Sequence, residues 1–231
     1  TRALQVGMDL FGQSSEARGS LRAGLMFSSG HASGDTHLRP EKAIKASNEV
    51  DAYAVGAYAT WFQNQEQSRG GYADAWLQHA WFTNEVKGDG LAAEKYDSRA
   101  WSASLEAGYA IPLLETETAK WSFEPSAQLI YTDYTAHAYQ EAGGTLIEQN
   151  GGKLSVRVGG RFHGQYQTPN GSRIEPFVEL NGWHNDAPDH VQMSDDKIYA
   201  DTPRNTVELR AGTNYRVNKK LFLSADFSSA L

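Results

Sequence analysis

Asp74, Glu106, Glu124, Glu175, Glu179 and Glu208 are the side chains in this sequence best placed to do chemistry, because they fall in one alternating phase of the chain. Carboxylates crowded on a single wetted wall shift one another's pKa values, so that one can give a proton and another take it. Arg22, Arg157, Arg161 and Arg210 fall in the same phase and offer counter-ions. Acid–base catalysis also demands a reaction geometry that residue type does not supply. The expected role of these residues is therefore a charged, hydrated wall, with no catalytic residue among them. His184-Asn-Asp-Ala-Pro-Asp-His190 contains metal-ligating types but lacks the i, i+4 helical histidine pair of a zincin. It reads as a polar loop, and no metal is expected. No serine sits in a nucleophile elbow and there is no P-loop, so no cofactor is expected. Gly143-Gly144 and Gly151-Gly152 read as turns.

The elements that must position these residues follow from a period-two pattern. In Tyr72–Phe82 one phase reads Ala73, Ala75, Leu77, His79, Trp81 and the other Tyr72, Asp74, Trp76, Gln78. A strand sends the two sets to opposite faces, whereas a helix would scatter Asp74 and Gln78 into the apolar stripe. The same alternation predicts ten strands, at 2–12, 20–29, 50–63, 72–86, 98–112, 120–136, 153–167, 172–186, 204–217 and 219–231. A membrane-crossing strand needs about 9–11 residues, and most of these supply it. Connections 13–19, 64–71, 113–119, 168–171 and 218 are short, and 30–49, 87–97, 137–152 and 187–203 are long. Short turns at one rim and long loops at the other are the pattern of an outer-membrane barrel. Pro125 and Pro176 lie inside strand patterns and are expected at a bulge or local bend.

Composition agrees with this reading. The chain has 231 residues, no cysteine and a net charge of -7. Disulfides and thiolate chemistry are excluded, and a nucleic-acid partner is not expected without a basic face. No apolar run of about 18 residues marks a transmembrane helix. The mean hydropathy of -0.56 does not exclude a membrane barrel, which shows lipid only every second residue. The central stretches of the apolar phase carry no Asp, Glu, Lys or Arg. A charge on a lipid face costs about 2–4 kcal/mol near the midplane. Trp61, Trp81, Trp101, Tyr109, Trp121 and Tyr131 sit toward strand ends on that phase, as membrane girdles do. The apolar phase alone would also suit a soluble barrel with that face inward. Gly56, Gly108 and Gly212 fall on the charged phase, where small residues keep a bore open or accommodate curvature.

Val55-Gly-Ala-Tyr-Ala-Thr-Trp61, Tyr72-Ala-Asp-Ala-Trp-Leu-Gln78, Ser104-Leu-Glu-Ala-Gly-Tyr109 and Glu175-Pro-Phe-Val-Glu-Leu-Asn181 together resemble the translocator β-domain of classical autotransporters, in the group of AIDA-like adhesins and pertactin-like proteins. The resemblance covers nearly the whole chain. It implies a single domain over 1–231, an antiparallel transmembrane β-barrel of all-β class with ten strands visible of an expected twelve. The first and last strands and the pore helix are not visible, and the chain is expected to be an excerpt of a longer polypeptide. The implied function is export and surface anchoring of an N-terminal passenger in the bacterial outer membrane. The implied partners are outer-membrane lipid and lipopolysaccharide, the chain's own passenger and pore helix, and the barrel-assembly machinery. Two departures stand out. Trp183 lies one residue later than the family's aromatic, which moves it to the other face, and His79 replaces an outward aromatic. The alternatives are a ten-stranded outer-membrane hydrolase of the omptin or phospholipase type, starting from His184 and Asp186, and a passive porin.

Overall fold

The computed structural model describes residues 2–15, 18–37, 45–64, 69–88, 93–136, 139–140, 146–148, 150–168, 172–186, 190–193, 196–199, 203–216 and 222–230. Among them, alternation of apolar and polar side chains produces strands throughout. These are β1 (Arg2–Ser15), β2 (Gly19–His37), β3 (Lys45–Phe62), β4 (Gly70–Gly88), β5 (Glu94–Glu115), β6 (Ala119–Ala136), β7 (Tyr139–Gln140), β8 (Leu146–Glu148), β9 (Asn150–Gln167), β10 (Arg173–Asn185), β11 (His190–Met193), β12 (Asp196–Tyr199), β13 (Asn205–Arg216) and β14 (Phe222–Ala230). Ten of them form one antiparallel sheet in the order β1-β2-β3-β4-β5-β6-β9-β10-β13-β14, curved into a half-barrel. All ten expected strands are in it, in the expected order.

Two of the expected long loops are corrected. Residues 30–37 and 45–49 continue the β2–β3 ladder, with His37 opposite Lys45. Likewise β4 and β5 stay paired out to Val86 and Glu94. Alternation fades there because both faces of a hairpin beyond the membrane are wet, while backbone pairing needs no apolar face to continue. The other two long loops contain β7, β8, β11 and β12, a second small sheet in the order β12-β11-β8-β7. At the opposite rim Gly19 and Gly70 take positive φ values of 78° and 90°. A Cβ on Gly19 would strike the Phe62 carbonyl, so that turn requires glycine.

The prolines do not make the expected bulges. Pro125 falls in a gap of the β5–β6 ladder, between Gly108↔Ser126 and Ile111↔Phe123, with the register unchanged across it. Pro176 falls in the same kind of gap between β9 and β10. Each proline stays in register with its other neighbouring strand. A missing N–H interrupts one ladder without inserting a residue. The register shifts lie instead at Asp9/Phe11 and Pro112/Leu114.

The distribution of burial is inverted relative to a water-soluble protein. Leu4, Val158 and Phe227 are 64%, 62% and 74% exposed, whereas Asn181 and Ser122 are 1% exposed. Outward rows such as Ala59–Ala75–Leu105–Leu129–Val156 run across the sheet with no second layer over them among the described residues. An uncovered apolar face of this extent belongs in lipid.

Candidate functional site

Strand register places the polar phase on the concave face. One directly paired row reads Arg22–Thr60–Asp74–Glu106–Gln128–Arg157–Trp183, from β2 to β10. A second reads Glu124–Arg161–Glu179–Arg210, from β6 to β13. Glu175 lies two positions from Phe177 on β10, and Glu208 faces Asn181. Residues directly opposite in a ladder share a face. All ten charged residues of the sequence pattern therefore lie on this one surface.

Arg157 is its centre. The guanidinium, 7% exposed, donates to Glu106 Oε2 at 2.8 Å and Glu179 Oε1 at 2.7 Å. It also approaches Asn181 Oδ1 at 3.4 Å and lies 5.7 Å from the centre of the Trp183 ring. Asn181 Nδ2 donates to Glu179 at 2.8 Å and to Glu208 at 3.2 Å, and Trp183 Nε1 donates to Glu208 at 3.1 Å. The Tyr72 hydroxyl donates to Glu106 Oε1 at 2.6 Å. Arg210 donates to Asp226 at 3.0 Å and stands 3.9 Å from Glu179. The result is a continuous network from β4 to β14. Arg is suited to this position because its fork satisfies several acceptors at once.

Two glycines give the network room. A Cβ on Gly108 would strike the Tyr72 ring, and one on Gly159 would strike Asn181 Oδ1. Their bare backbones let Tyr72 lie flat toward Glu106 and Asn181 sink to full burial.

Not every expected partner pairs. Arg161 lies over the Phe177 ring at 4.3 Å, and the described residues include no ion pair for it. Arg22 is exposed on β2 and likewise makes none. Asp74 accepts from Thr60 Oγ1 at 2.5 Å, Glu175 stands 2.6 Å from Arg173, and Glu124 is 3.7 Å from His163 Nε2. Tyr72, Asn181 and His163 are contributors that the charge pattern passed over. Their signal was present as polar residues in the correct phase. Trp183 does face inward, as its one-residue offset predicts. Tyr72, Asp74, Glu106, Glu124, Arg161 and His163 line a cleft of about 390 Å³ on this surface.

The hydrolase alternative finds no support in the placement of His184. It sits in the outward row Leu129–Val156–His184–Asn205, with Nδ1 2.8 Å from Asn205 Oδ1. It thus faces away from the carboxylates. Residues 187–189 of the same string lie outside the described residues.

On the convex face the aromatic residues form two bands. Trp61, Tyr109 and Trp121 lie toward the short-turn rim, and Trp81, Trp101 and Tyr131 toward the long-loop rim. Trp61 Nε1 donates to the Arg18 carbonyl at 3.0 Å, and Trp121 stacks on Phe162 at 5.1 Å. From Tyr109 to Trp101 the strand rises about 27 Å. Tilted by the roughly 35–45° of barrel strands, that separates the two bands by about 19–22 Å along the membrane normal, somewhat less than the about 25 Å apolar belt of an outer-membrane barrel.

Comparison with known proteins agrees with this architecture. The family model described as Autotransporter beta-domain matches residues 1–228. The autotransporter adhesin AIDA-I of Escherichia coli is 32% identical over 228 residues, covering 94% of this chain and 18% of that protein. The uncharacterized protein YdeU of E. coli K12 is 31% identical over 231 residues, covering 95% of this chain and 49% of that protein. The chain thus spans less than half the length of either. The crystal structure of the transport unit of AIDA-I superposes with a TM-score of 0.89 at 29% identity, covering 99% of this chain and 76% of that one. The β-domain of the Bordetella autotransporter BrkA, 20% identical, shares the fold with a TM-score of 0.71, covering 99% of this chain and 83% of that one. Proteins of this kind reside in the bacterial outer membrane. With its apolar convex face, its charged concave face and this similarity along almost its whole length, the chain belongs to the autotransporter β-domain family.

Proposed function

We propose that this chain is the membrane-embedded part of a translocator that exports an N-terminal passenger and anchors it at the cell surface. The observation that carries this reading is the continuous polar surface from Tyr72 to Asp226 on the face opposite the lipid belt. Its central charges, Glu106, Arg157, Glu179 and Arg210, are paired with one another and with Asp226. Such a wall gives a passing polypeptide a wet path without gripping it, and transport needs binding weak enough to release. No step in this role requires a nucleophile or an acid–base pair, and we assign the chain no catalytic activity.

Residues 1–231 act in this reading as one domain. Both β1 and β14 are open edges of the sheet, and open edges in a membrane leave backbone groups unpaired. Further strands of the full protein therefore close the barrel, around a pore helix joined to the passenger. The match covers 76% of the AIDA-I transport unit, which leaves room for them. Insertion draws on the barrel-assembly machinery, and the belt contacts outer-membrane lipid and lipopolysaccharide.

The test is surface display. Antibody or protease accessibility of the N-terminal region is measured on intact cells carrying the full protein. The passenger should be accessible, and planar-bilayer conductance of the purified full protein should be low because the bore is occupied. Large steady conductance with nothing displayed would instead identify a passive porin.

A further inference from the structure

His79 is an ionisable side chain in the lipid-facing belt. It belongs to the outward row Val6–Phe27–Val55–His79–Trp101–Asp133. Ionisable residues at such positions are costly and mark functional sites. Its ring centre is 4.4 Å from that of Trp81, edge-on at 86°, and 4.4 Å from that of Trp101. Nδ1 is enclosed and has no hydrogen-bond partner among the described residues. Nε2 is thus the nitrogen on the open side of the ring.

One row nearer the long-loop rim, Arg99 stands between Trp81 on β4 and Thr135 on β6, with Tyr53 on the far side of Trp81. It is exposed and makes no ion pair among the described residues. Beside it is the half-exposed indole of Trp81, at 49%, and one row below that of Trp101, at 51%. The level is the external membrane interface, where aromatic rings meet headgroups.

We propose that His79, Trp81, Trp101 and Arg99 form a docking site for the phosphorylated headgroup of an outer-leaflet lipid. Arg99 receives the phosphate, His79 Nε2 a second polar atom of the headgroup, and the two indoles flank the start of the acyl chains. The flanking charges select the source of the phosphate. Asp97, which accepts from Thr83 at 3.2 Å, and Asp133 share this face. A free phosphate ion would meet one cation against two carboxylates, whereas a lipid is held in place by its chains. This inference rests on the membrane placement of the barrel and adds a site to it.

The full-length protein, purified in detergent, is mixed with diphosphorylated lipid A or with its dephosphorylated form, and lipid retention is read by native mass spectrometry. Wild type should retain the diphosphorylated lipid preferentially. Arg99→Gln should lower that retention about fivefold, the effect of one interfacial cation, and Arg99→Lys should restore most of it. His79→Phe, which keeps the aromatic stack, should lower retention less. Equal retention by wild type and Arg99→Gln, or equal retention of both lipids, overturns the site. If Arg99→Gln does not fold, as judged by heat-modifiable migration, His79→Phe decides in the same directions. Passenger display is scored in the same strains. Unchanged lipid retention with intact display removes the docking site and leaves the translocator reading standing.

Discussion

Arg157 and Glu106 form a 2.8 Å ion pair although β6 lies between their strands. Adjacent strands are about 4.8 Å apart, so the two residues meet by reaching over Gln128 across the concave face. The pair closes a network in which Glu106, Glu179 and Asn181 all face one guanidinium. Replacing Arg157 with Met leaves the buried Glu179 and Asn181 and the part-buried Glu106 without their cation. It should destabilise the folded protein by about 3–5 kcal/mol, read as a lower urea midpoint in lipid vesicles. Adding Glu106→Gln should recover part of the loss. A wild-type midpoint for Arg157→Met would show that solvent already compensates these carboxylates.

The two faces of β4 should tolerate charge very differently. Leu77 is 50% exposed on the convex face, and its sequence neighbour Gln78 is on the concave one. Leu77→Arg places a guanidinium in lipid at a cost of about 2–4 kcal/mol. Gln78→Arg should cost far less. Folding yield into vesicles compares the two, and equal yields would contradict the assignment of faces.

Gly108→Val should displace Tyr72 and break its 2.6 Å hydrogen bond to Glu106. Overpacking of this kind costs about 1–3 kcal/mol. Tyr72→Phe removes the same hydrogen bond without the clash and should be milder. The order of the two unfolding midpoints tests whether steric contact or the hydrogen bond dominates.

At the short-turn rim Glu115 is held by Lys120 and Arg69, each at 3.0 Å. The hydrogen bond from Lys120 and its charge, with a smaller contribution from Arg69, hold the carboxyl below its ordinary value of 4.5. A depressed folded pKa contributes stability above the unfolded value and loses it as pH falls through the folded one. The contribution should therefore be complete above pH 4.5 and fade below it. It is small because the group is open to solvent. Carbonyl-detected NMR should find Glu115 titrating low, and Lys120→Gln should return it toward the ordinary value. No change in Lys120→Gln would assign the shift to Arg69.

Much of this molecule was legible in one dimension. Period two in Tyr72–Phe82 and its repeats set ten strands, and charge-free phases such as Trp101–Ile111 separated two faces, because a strand alternates sides whatever it packs against. That the ten charged residues share one face, and the six aromatics Trp61, Trp81, Trp101, Tyr109, Trp121 and Tyr131 the other, followed from phase alone. Their side of the sheet was not, since an apolar phase suits a soluble core as well as lipid. The uncovered convex face decided that. The hairpin extensions beyond the membrane were hidden for a physical reason: where both faces are wet, pairing continues without alternation. Which charges pair was also a tertiary matter. Arg157 meets a carboxylate on a non-neighbouring strand, whereas Arg161 takes the Phe177 ring instead. Sequence fixes phase and therefore face, but curvature and cross-strand register decide which side chains on that face come within reach of each other.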